Sequence, residues 1–246
     1  MWIGGSLSVM EQLCIASFIK NGHIFHLYAY DEIRNVPRGA VLKDAGELIN
    51  KDKLFKYKDR DTYAGFSNLF RYKLLLERGN YWVDTDVICL KPFNSNSDYV
   101  FARSKGGRGT GEPDQPHWTE SCVIKAPVGS SAMDYCYDKC SKVNKAEVKF
   151  GEIGPYLLNS AIEHFSLENY ITNAETFCPV DYTNWTKLIT GERKISVIEQ
   201  IRMMLYRSKG VHFWHEMWRV NGIDKNGKFP DTCIYERLKK RYLEDY

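Results

Sequence analysis

The sequence predicts an α/β fold, because segments with strand character alternate with segments of helical periodicity. Residues 62–78 repeat large apolar side chains at the helical period, and Gly79 marks the end of that helix. Residues 81–90 follow at once as an apolar strand that Asp-Thr-Asp interrupts. No linker, internal repeat or low-complexity run divides the chain, so we expect one domain over residues 1–246.

The remaining elements are predicted from helix caps, apolar runs and glycine or proline breaks. Ser8 and Glu11 match a capping box that opens a helix, and Asn21 with Gly22 closes it. Further strands are expected at residues 23–30, 99–102, 121–126, 176–178 and 194–198. Further helices are expected at residues 130–143 and 154–165, and from Asp231 to about residue 244.

Composition and charge exclude several classes of protein. The chain is 43% hydrophobic and 26% charged, which is typical of a folded globular protein and not of a disordered one. Lys plus Arg total 34 and Asp plus Glu total 31, and the net charge of +3 gives no indication of a nucleic-acid partner. No run of about 18 apolar residues is present, and residues 1–5 do not resemble a signal peptide. Seven cysteines without a Cys-x-x-Cys pair favour a reducing cytoplasm.

Asp84-Thr85-Asp86 is the first feature that carries chemistry. Two carboxylates one residue apart at the end of a strand reach one site when the chain bends there. Such a pair suits a hard divalent cation that is shared with substrate phosphates. The pattern is also common in ordinary turns, so taken alone it is more often structural. Its apolar flanks favour a ligand, because buried carboxylates are costly unless a cation or hydrogen bonds compensate them.

The helix before this strand carries a polar face that we expect to reach the same pocket. Ser67, Asn68 and Arg71 lie three and four residues apart, so they share one side of the helix. An arginine at this place would bind a diphosphate or a sugar hydroxyl. The alternative is a solvated face on which Arg71 pairs with a surface carboxylate.

Residues 212–218 supply the third feature, an aromatic segment that begins with a histidine. His212 offers a neutral nitrogen ligand that would complete a metal site. The spacing is not that of a His-Glu-x-x-His zinc protease. Two tryptophans near a histidine are more often part of a hydrophobic core, and this alternative stays open.

In this order the motifs resemble those of glycosyltransferase family 32. The middle block is the most specific, with Ser67-Asn68-Leu69-Phe70-Arg71-Tyr72 followed by Gly79-Asn80-Tyr81-Trp82-Val83-Asp84-Thr85-Asp86. The outer motifs that match in order are Trp2-Ile3-Gly4-Gly5, Gly154-Pro155 and the segment from His212 to Trp218. The family includes yeast Och-type mannosyltransferases and bacterial capsule glycosyltransferases, and clostridial toxins carry a related catalytic domain.

The resemblance implies a GT-A-like nucleotide-sugar-binding fold, in which helices flank a mainly parallel Rossmann-like sheet. It implies a metal-dependent, retaining hexosyltransferase that uses Mn²⁺ or Mg²⁺. The donor would be a UDP- or GDP-sugar. The acceptor would be a glycan or a lipid-linked molecule, in the synthesis of a surface polysaccharide or another glycan.

The resemblance also assigns roles to individual residues. Asp86 would be the main metal ligand, with Asp84 and His212 beside it. Trp2 would stack on the nucleotide base. The donor-binding residues that it implies are Trp2, Ser67, Asn68, Arg71, Tyr72, Asp84, Gly154 and Trp218. The catalytic residues are expected to be Asp84, Asp86, Arg71 and Glu152.

Three positions depart from the family pattern. Asn68 stands where the family has Asp, so the site lacks one charge and the choice of donor sugar stays open. Met217 replaces the serine before the last tryptophan and removes a hydroxyl that would contact phosphate. Asn80 replaces a glycine.

Retention of the anomeric configuration requires either a carboxylate nucleophile or attack by the acceptor on the face that the diphosphate leaves. No nucleophile stands out in the sequence, so we expect same-face attack, with Glu152 orienting the acceptor. Residues 104–117 are rich in glycine and proline and form either a lid over the donor or an ordinary exposed loop.

Two other functions stay open. Asp84 to Ile88 after an apolar strand also resembles the nucleophile motif of HAD-like Mg²⁺-dependent phosphatases, although no second acidic motif follows it. A non-catalytic carbohydrate-binding module would use exposed tryptophans and would leave the two aspartates unexplained. The basic residues 237–241 indicate either peripheral contact with a membrane or a solvated helix face.

Overall fold

The computed structural model describes residues 1–105, 118–191 and 207–244 of the chain. Helices and strands are both present in these ranges, but they do not alternate strictly, because four strands follow one another between residues 80 and 126. The strand expected at residues 194–198, and residues 106–117 of the glycine-rich loop, lie outside the described residues.

Five of the seven α-helices among the described residues lie close to where caps and periodicity predict them, and the two short ones, at residues 174–177 and 215–220, were not predicted as helices. The seven are α1 (Val9–Lys20), α2 (Ala64–Arg78), α3 (Ser131–Lys142), α4 (Leu157–His164), α5 (Ala174–Phe177), α6 (His215–Val220) and α7 (Ile234–Leu243). Ser8 and Glu11 form the predicted capping box of α1, and Asn21 lies at its C-terminal end. Ser130 caps α3 by accepting a hydrogen bond from Met133 N.

The strands form three small sheets. They are β1 (His26–Ala29), β2 (Val41–Asp44), β3 (Asn80–Val83), β4 (Val87–Cys89), β5 (Val100–Arg103), β6 (Thr119–Ala126) and β7 (Gly210–His212). β1 pairs in parallel with β2, and β4 pairs antiparallel with β7. β6 lies between β3 and β5 and runs antiparallel to both. Trp2 forms a further parallel bridge with Ala29, so residues before α1 lie beside β1.

The β3–β6–β5 sheet is buried on both faces. Trp82, Phe101 and Ile124 pack in a hydrophobic cluster with residues of α2, α3 and α4. Val100 and Val123 pack in the other cluster, with residues of α1, α6 and α7. Because successive side chains of a strand point to opposite faces, this sheet lies between two layers of helices. The end of β3 that leads into Asp84 therefore reaches the junction of both layers.

The α/β class is confirmed. The sheets are small, however, and most of the pairings between the described strands are antiparallel instead of parallel. Strand direction depends on which distant segments of the chain pair with each other, and local periodicity does not predict that pairing. The strand expected at residues 176–178 is instead the end of α5, since a helix of four residues is too short to show a helical period.

All seven cysteines are buried and none forms a disulfide. In the part of the chain that the structure describes, no helix has both the length and the apolar character needed to span a bilayer.

Gly79 provides the tight turn that leads from α2 into β3. Its φ of +62° and ψ of −161° are rarely adopted by other residues, and an added Cβ would lie 2.8 Å from Val128 N. We expect Gly79→Ala to lower the free energy of unfolding by about 2–3 kcal/mol, as measured by urea denaturation. Gly222→Ala is the control, because Gly222 has a φ of +65° but no atom within 4 Å of an added Cβ. Equal losses in the two variants would contradict the role of the Val128 contact.

Candidate active site

A turn between β3 and β4 carries the two aspartates. Asp84 N donates a hydrogen bond to the carbonyl oxygen of Cys122 in β6 at 2.8 Å, which fixes the end of β3. Val87 N donates to the carbonyl oxygen of Asp84 at 3.0 Å and closes the turn. The bend brings Asp84 and Asp86 to the wall of the same cavity.

Two side chains hold the carboxylate of Asp84. Arg71 Nη2 and Trp82 Nε1 donate to its Oδ1 at 2.7 Å and 2.8 Å. The Arg71 side chain is only 5% exposed, and its Nη1 donates to the carbonyl oxygen of Ser121 at 2.8 Å. The guanidinium also lies over the Trp82 ring, 5.0 Å from its centroid. Arg71 therefore acts first as the partner that fixes Asp84, and not as a residue of a solvated face.

The segment between β7 and α6 holds Asp86. His215 N donates to its Oδ2 at 2.7 Å, and Nε2 of His212 lies 3.2 Å from the same oxygen. Phe213 N donates to the carbonyl oxygen of Asp86 at 2.9 Å. Burial disfavours the charged carboxylate, but the charge of His212 and the hydrogen bonds outweigh burial and hold the pKa of Asp86 well below its usual range. Asp86 is therefore ionised although it is only 8% exposed.

Asp84, Asp86 and His212 each offer one ligand atom within 4.8 Å of the others. Hydrogen bonds from the described residues reach Oδ1 of Asp84 and Oδ2 of Asp86, which leaves the second oxygen of each carboxylate available. Carboxylate oxygens suit Mg²⁺ and Mn²⁺, and an imidazole nitrogen is a common ligand of transition metals. This set of donors fits the divalent cation that the sequence resemblance implies.

A cavity of about 740 Å³ opens beside these three residues. This is the size of a typical small-molecule site. Aromatic and polar side chains both line it, which suits a ligand that has both flat and hydroxylated parts. Beyond the predicted site residues, the wall includes Tyr57, Arg60, Tyr63, Trp82, Glu120, Phe150, Tyr156, Trp214 and Glu216.

Most of the predicted site residues lie at this wall. They are Trp2, Ser67, Asn68, Arg71, Asp84, Asp86 and His212. Trp2 is partly exposed, and its Nε1 donates to the carbonyl oxygen of Ser6 at 3.2 Å. Asn68 is 6% exposed, and its Nδ2 lies 3.4 Å from the hydroxyl oxygen of Tyr57, to which it donates.

Tyr72 and Gly154 lie behind the wall. The Tyr72 side chain is fully buried, and its hydroxyl donates to the carbonyl oxygen of Gly154 at 3.1 Å. An added Cβ on Gly154 would lie 2.9 Å from Nδ2 of Asn68. These two residues therefore support Asn68 from behind and do not themselves form the cavity surface.

Trp218 and Glu152 are not among the residues that line the cavity. Trp218 has no exposed surface, because α6 turns its apolar side inward and the indole packs on Phe213 and Tyr235. Trp218 is therefore part of the hydrophobic core, which the sequence left open as the alternative, and it does not reach the place where a donor would bind. Glu152 is exposed, and its carboxylate accepts a hydrogen bond from Lys149 N at 3.0 Å, within its own turn.

Several wall groups were not found from the sequence. The carbonyl oxygen of Ser121 and the backbone N–H of His215 act through the main chain, so their residue types give no signal. Glu120 is a charged residue in a mostly buried strand, and this pattern in the sequence indicates a residue of the site. Its carboxylate accepts from the hydroxyl of Ser104 at 2.9 Å. Trp214 has φ +54° and ψ +49°, a strained conformation for a tryptophan that only the folded chain shows.

A charged bridge spans another part of the wall. Arg60, in the loop before α2, pairs with Glu216 of α6 at 2.7 Å, and Arg219 pairs with the same carboxylate at 2.8 Å. The Arg60 guanidinium lies 4.0 Å from the centroid of the Phe150 ring. The bridge joins the loop before α2 to α6 across the cavity wall.

Comparison with known proteins gives one family match. A family model described as a glycosyltransferase sugar-binding region containing a DXD motif matches residues 9–102. The chain carries a DXD-type glycosyltransferase region. A solved structure titled PaToxG Glycosyltransferase is similar, with 13% sequence identity and a TM-score of 0.49, over 98% of this chain and 82% of that chain. No curated protein matches the sequence.

The glycosyltransferase region contains α1, α2 and the turn with both aspartates. A glycosyltransferase moves a sugar from a donor to an acceptor, so the match supports sugar transfer as the activity of this region. His212, His215 and Ser121, which contact Asp86 and Arg71, lie beyond residue 102. The rest of the chain thus completes the site that the glycosyltransferase region begins.

The close approach of Gly154 to Asn68 can be tested by a double-mutant cycle. Gly154→Ala alone forces Asn68 to move, and we expect it to lower the free energy of unfolding by about 1–3 kcal/mol. Asn68→Ala removes the atoms that the new Cβ would meet. The double variant should therefore lose less stability than the sum of the single losses in urea denaturation. Strict additivity would show that Gly154 does not support Asn68.

Proposed function

We propose that the chain is a metal-dependent, retaining hexosyltransferase that moves a sugar from a UDP- or GDP-sugar to a glycan or lipid-linked acceptor. The observation that carries the proposal is the convergence of Asp84, Asp86 and His212 on the wall of one cavity. Sugar transfer itself is supported by the match of residues 9–102. The metal, the donor and the stereochemistry are the additions proposed here.

The two alternative functions fit the site less well. A phosphatase of the HAD-like class needs a second acidic motif after its nucleophile to hold Mg²⁺, and the sequence after Asp86 contains none. A carbohydrate-binding module needs no pair of carboxylates beside a histidine, whereas a cation site does.

Asp84, Asp86 and His212 would hold Mn²⁺ or Mg²⁺. When bound, the ion supplies positive charge beside the diphosphate of the donor. The protein keeps its ligands in place beforehand: Arg71 and Trp82 fix Asp84, and His215 N fixes Asp86. Ligands that are already oriented need little reorganisation when substrate binds, so they stabilise the transition state more strongly.

Arg71 contributes charge as well as position. Its guanidinium lines the cavity, and its Nε has no hydrogen-bond partner among the residues that the structure describes. A buried positive charge acts through a low dielectric, so it stabilises negative charge that grows on the leaving diphosphate. Arg71 would thus orient Asp84 and favour departure of the nucleotide.

The donor would lie along the part of the wall formed by residues of α2 and by Trp2, which bridges to β1. The indole of Trp2 would stack on the nucleotide base, and Lys225 Nζ lies 5.4 Å from the centroid of that ring. The hydroxyl of Ser67 and the amide of Asn68 would bind sugar hydroxyls. Because Asn68 is uncharged, these contacts would recognise the position of a sugar hydroxyl and would not select for a charged group on the sugar.

Same-face attack by the acceptor is the mechanism that we propose for retention. Among the described residues, the carboxylates at the wall are Asp61, Asp84, Asp86, Glu120 and Glu216. Each of them has a partner in an ion pair or a hydrogen bond. A nucleophile would have to leave such a partner before attack. An acceptor hydroxyl that enters beside the departing diphosphate needs no such step.

The acceptor would occupy the aromatic part of the cavity. Tyr57, Phe150 and Tyr156 offer ring faces that suit the apolar faces of sugars. Such an acceptor fits the synthesis of a surface polysaccharide or another glycan, with the cytoplasm as the proposed compartment. Contact of α7 with an anionic membrane has weaker support, because Lys239 already pairs with Glu236 at 2.6 Å.

The role of Asp86 can be tested with Asp86→Asn. The amide keeps the size of the side chain and still accepts from His215 N, but it is a much weaker metal ligand. We expect Mn²⁺-dependent release of nucleotide from UDP- or GDP-sugars to fall by roughly 100-fold or more. Circular dichroism should show an intact fold. Asp98→Asn, at an exposed position outside the cavity wall, is the matched control. Wild-type release by Asp86→Asn would refute the metal site.

The stereochemical outcome is a separate prediction. Same-face attack leaves the anomeric configuration of the donor unchanged in the product. Proton NMR of the reaction, followed from its first minutes, should show the anomeric coupling constant of the donor in the new linkage. A product of opposite configuration would exclude retention and leave the metal site unaffected.

A further inference from the structure

A second cluster of ligand-type side chains lies directly behind the acidic site. Cys122, Cys178 and His212 each offer one ligand atom within 4.8 Å of the others. Cys122 lies in β6, Cys178 directly follows α5, and His212 ends β7. No local sequence motif joins these positions, so the cluster exists only in the folded chain. The proposed sugar transfer makes no use of the two thiols.

The distance between the sulfur atoms fits a metal site. Sγ of Cys122 and Sγ of Cys178 lie 3.9 Å apart. Two zinc–sulfur bonds of about 2.3 Å at a tetrahedral angle would place the sulfur atoms about 3.8 Å apart. The cysteines therefore need almost no movement to share one ion.

His212 supplies an independent sign of a missing partner. Its Nδ1 is buried and has no hydrogen-bond partner among the described residues, while Nε2 faces Asp86. Buried polar atoms are usually paired, because an unpaired one loses its hydration without compensation. A metal ion bound to a ring nitrogen would supply such compensation.

The charge balance also favours a soft divalent cation. Two thiolates neutralise a dication, and a neutral imidazole adds no charge, so the complex has no net charge. This matters because Cys178 has no exposed surface and Cys122 is 1% exposed. Thiolate ligands prefer Zn²⁺ and similar ions to Mg²⁺ or Mn²⁺. Cys122 also lines the cavity, which provides a route for entry.

We propose that Cys122, Cys178 and His212 form a site for a thiophilic divalent cation such as Zn²⁺. The ion forms two bonds to sulfur and one to nitrogen, and water from the cavity completes the tetrahedral set. The two thiol protons, and the imidazole proton where His212 carries one, pass to solvent. No electron is transferred, so no oxidant or reductant is needed.

Occupation of this site has a consequence that rests on the proposed function. His212 belongs to both clusters, and a neutral imidazole that binds Zn²⁺ through Nδ1 keeps its proton on Nε2, which then cannot bind Mn²⁺. Zn²⁺ on the thiols would therefore weaken binding of Mn²⁺ at Asp84 and Asp86. The thiol site would act as an inhibitory site for soft metal ions.

The binding itself can be tested with Co²⁺ as a spectroscopic substitute for Zn²⁺. The full chain, stripped of metal and kept reduced, is titrated with Co²⁺ in the absence of any sugar nucleotide. We expect a near-ultraviolet thiolate-to-cobalt charge-transfer band that saturates at one equivalent, and visible bands of tetrahedral cobalt. Zn²⁺ should displace the cobalt and remove both. A wild-type protein without the charge-transfer band overturns the proposal.

Variants identify the ligands. Cys178→Ser should reduce the charge-transfer band to about half or less, since one of two thiolates is lost. Cys136→Ala is the matched control, because Cys136 is equally buried but lies in α3, outside the cluster. Asp86→Asn should keep the band. Cys122→Ser provides a second removal if Cys178→Ser does not fold. An unchanged band in a folded Cys178→Ser or Cys122→Ser variant overturns the assignment.

An activity measurement separates this inference from the proposed function. After incubation with one equivalent of Zn²⁺, wild-type Mn²⁺-dependent nucleotide release should fall by roughly tenfold, while Cys178→Ser should keep its own rate. Equal inhibition of both proteins would overturn the inhibitory role. A protein with the cobalt band but no sugar-nucleotide activity would count against the proposed function and leave the thiol site supported.

Discussion

The site depends on a single electrostatic problem, which is how to place a partly exposed and a buried carboxylate of one turn side by side in a cavity wall. The protein solves it by giving each carboxylate a partner from a different layer. Arg71 of α2 pairs with Asp84, and His212 with His215 at the start of α6 holds Asp86. Because α2 and α6 contribute residues to two different hydrophobic clusters, the acidic turn links both layers. Loosening the contacts of Asp86 would leave a buried charge uncompensated.

The sequence predicted the parts of the protein that local patterns determine. The helix over residues 64–78, its stop at Gly79 and the turn with both aspartates follow from periodicity, glycine chemistry and the cost of burying charge. The direction of strand pairing was not predictable, since it depends on contacts between distant segments. The same holds for Trp218, because one side of a six-residue helix cannot be assigned to core or cavity from its sequence alone.

His212 shows why spacing is a poor guide to ligand roles. The sequence indicated a single role for it, as the third ligand of the acidic pair. In the fold, the same ring lies close to two carboxylates and also to two thiols, with the ligand-type atoms of each group within 4.8 Å of one another. Carboxylates and thiolates prefer different cations, so the metal that binds would depend on whether the imidazole acts as a ligand together with the carboxylates or with the thiols. A shared ligand makes the two selections mutually dependent.

The extent of the family match bears on how the site is assembled. The matched residues 9–102 contain Asp84, Asp86 and Arg71, but the groups that complete their charge balance come from β6, β7 and α6. Without His212 and His215, Asp86 would be a buried carboxylate next to a second carboxylate, and its ionisation would be disfavoured by both burial and repulsion. The acidic pair therefore requires the C-terminal elements for its charge state as well as its geometry. The glycosyltransferase region acquires a competent acidic site only when the whole α/β fold has formed.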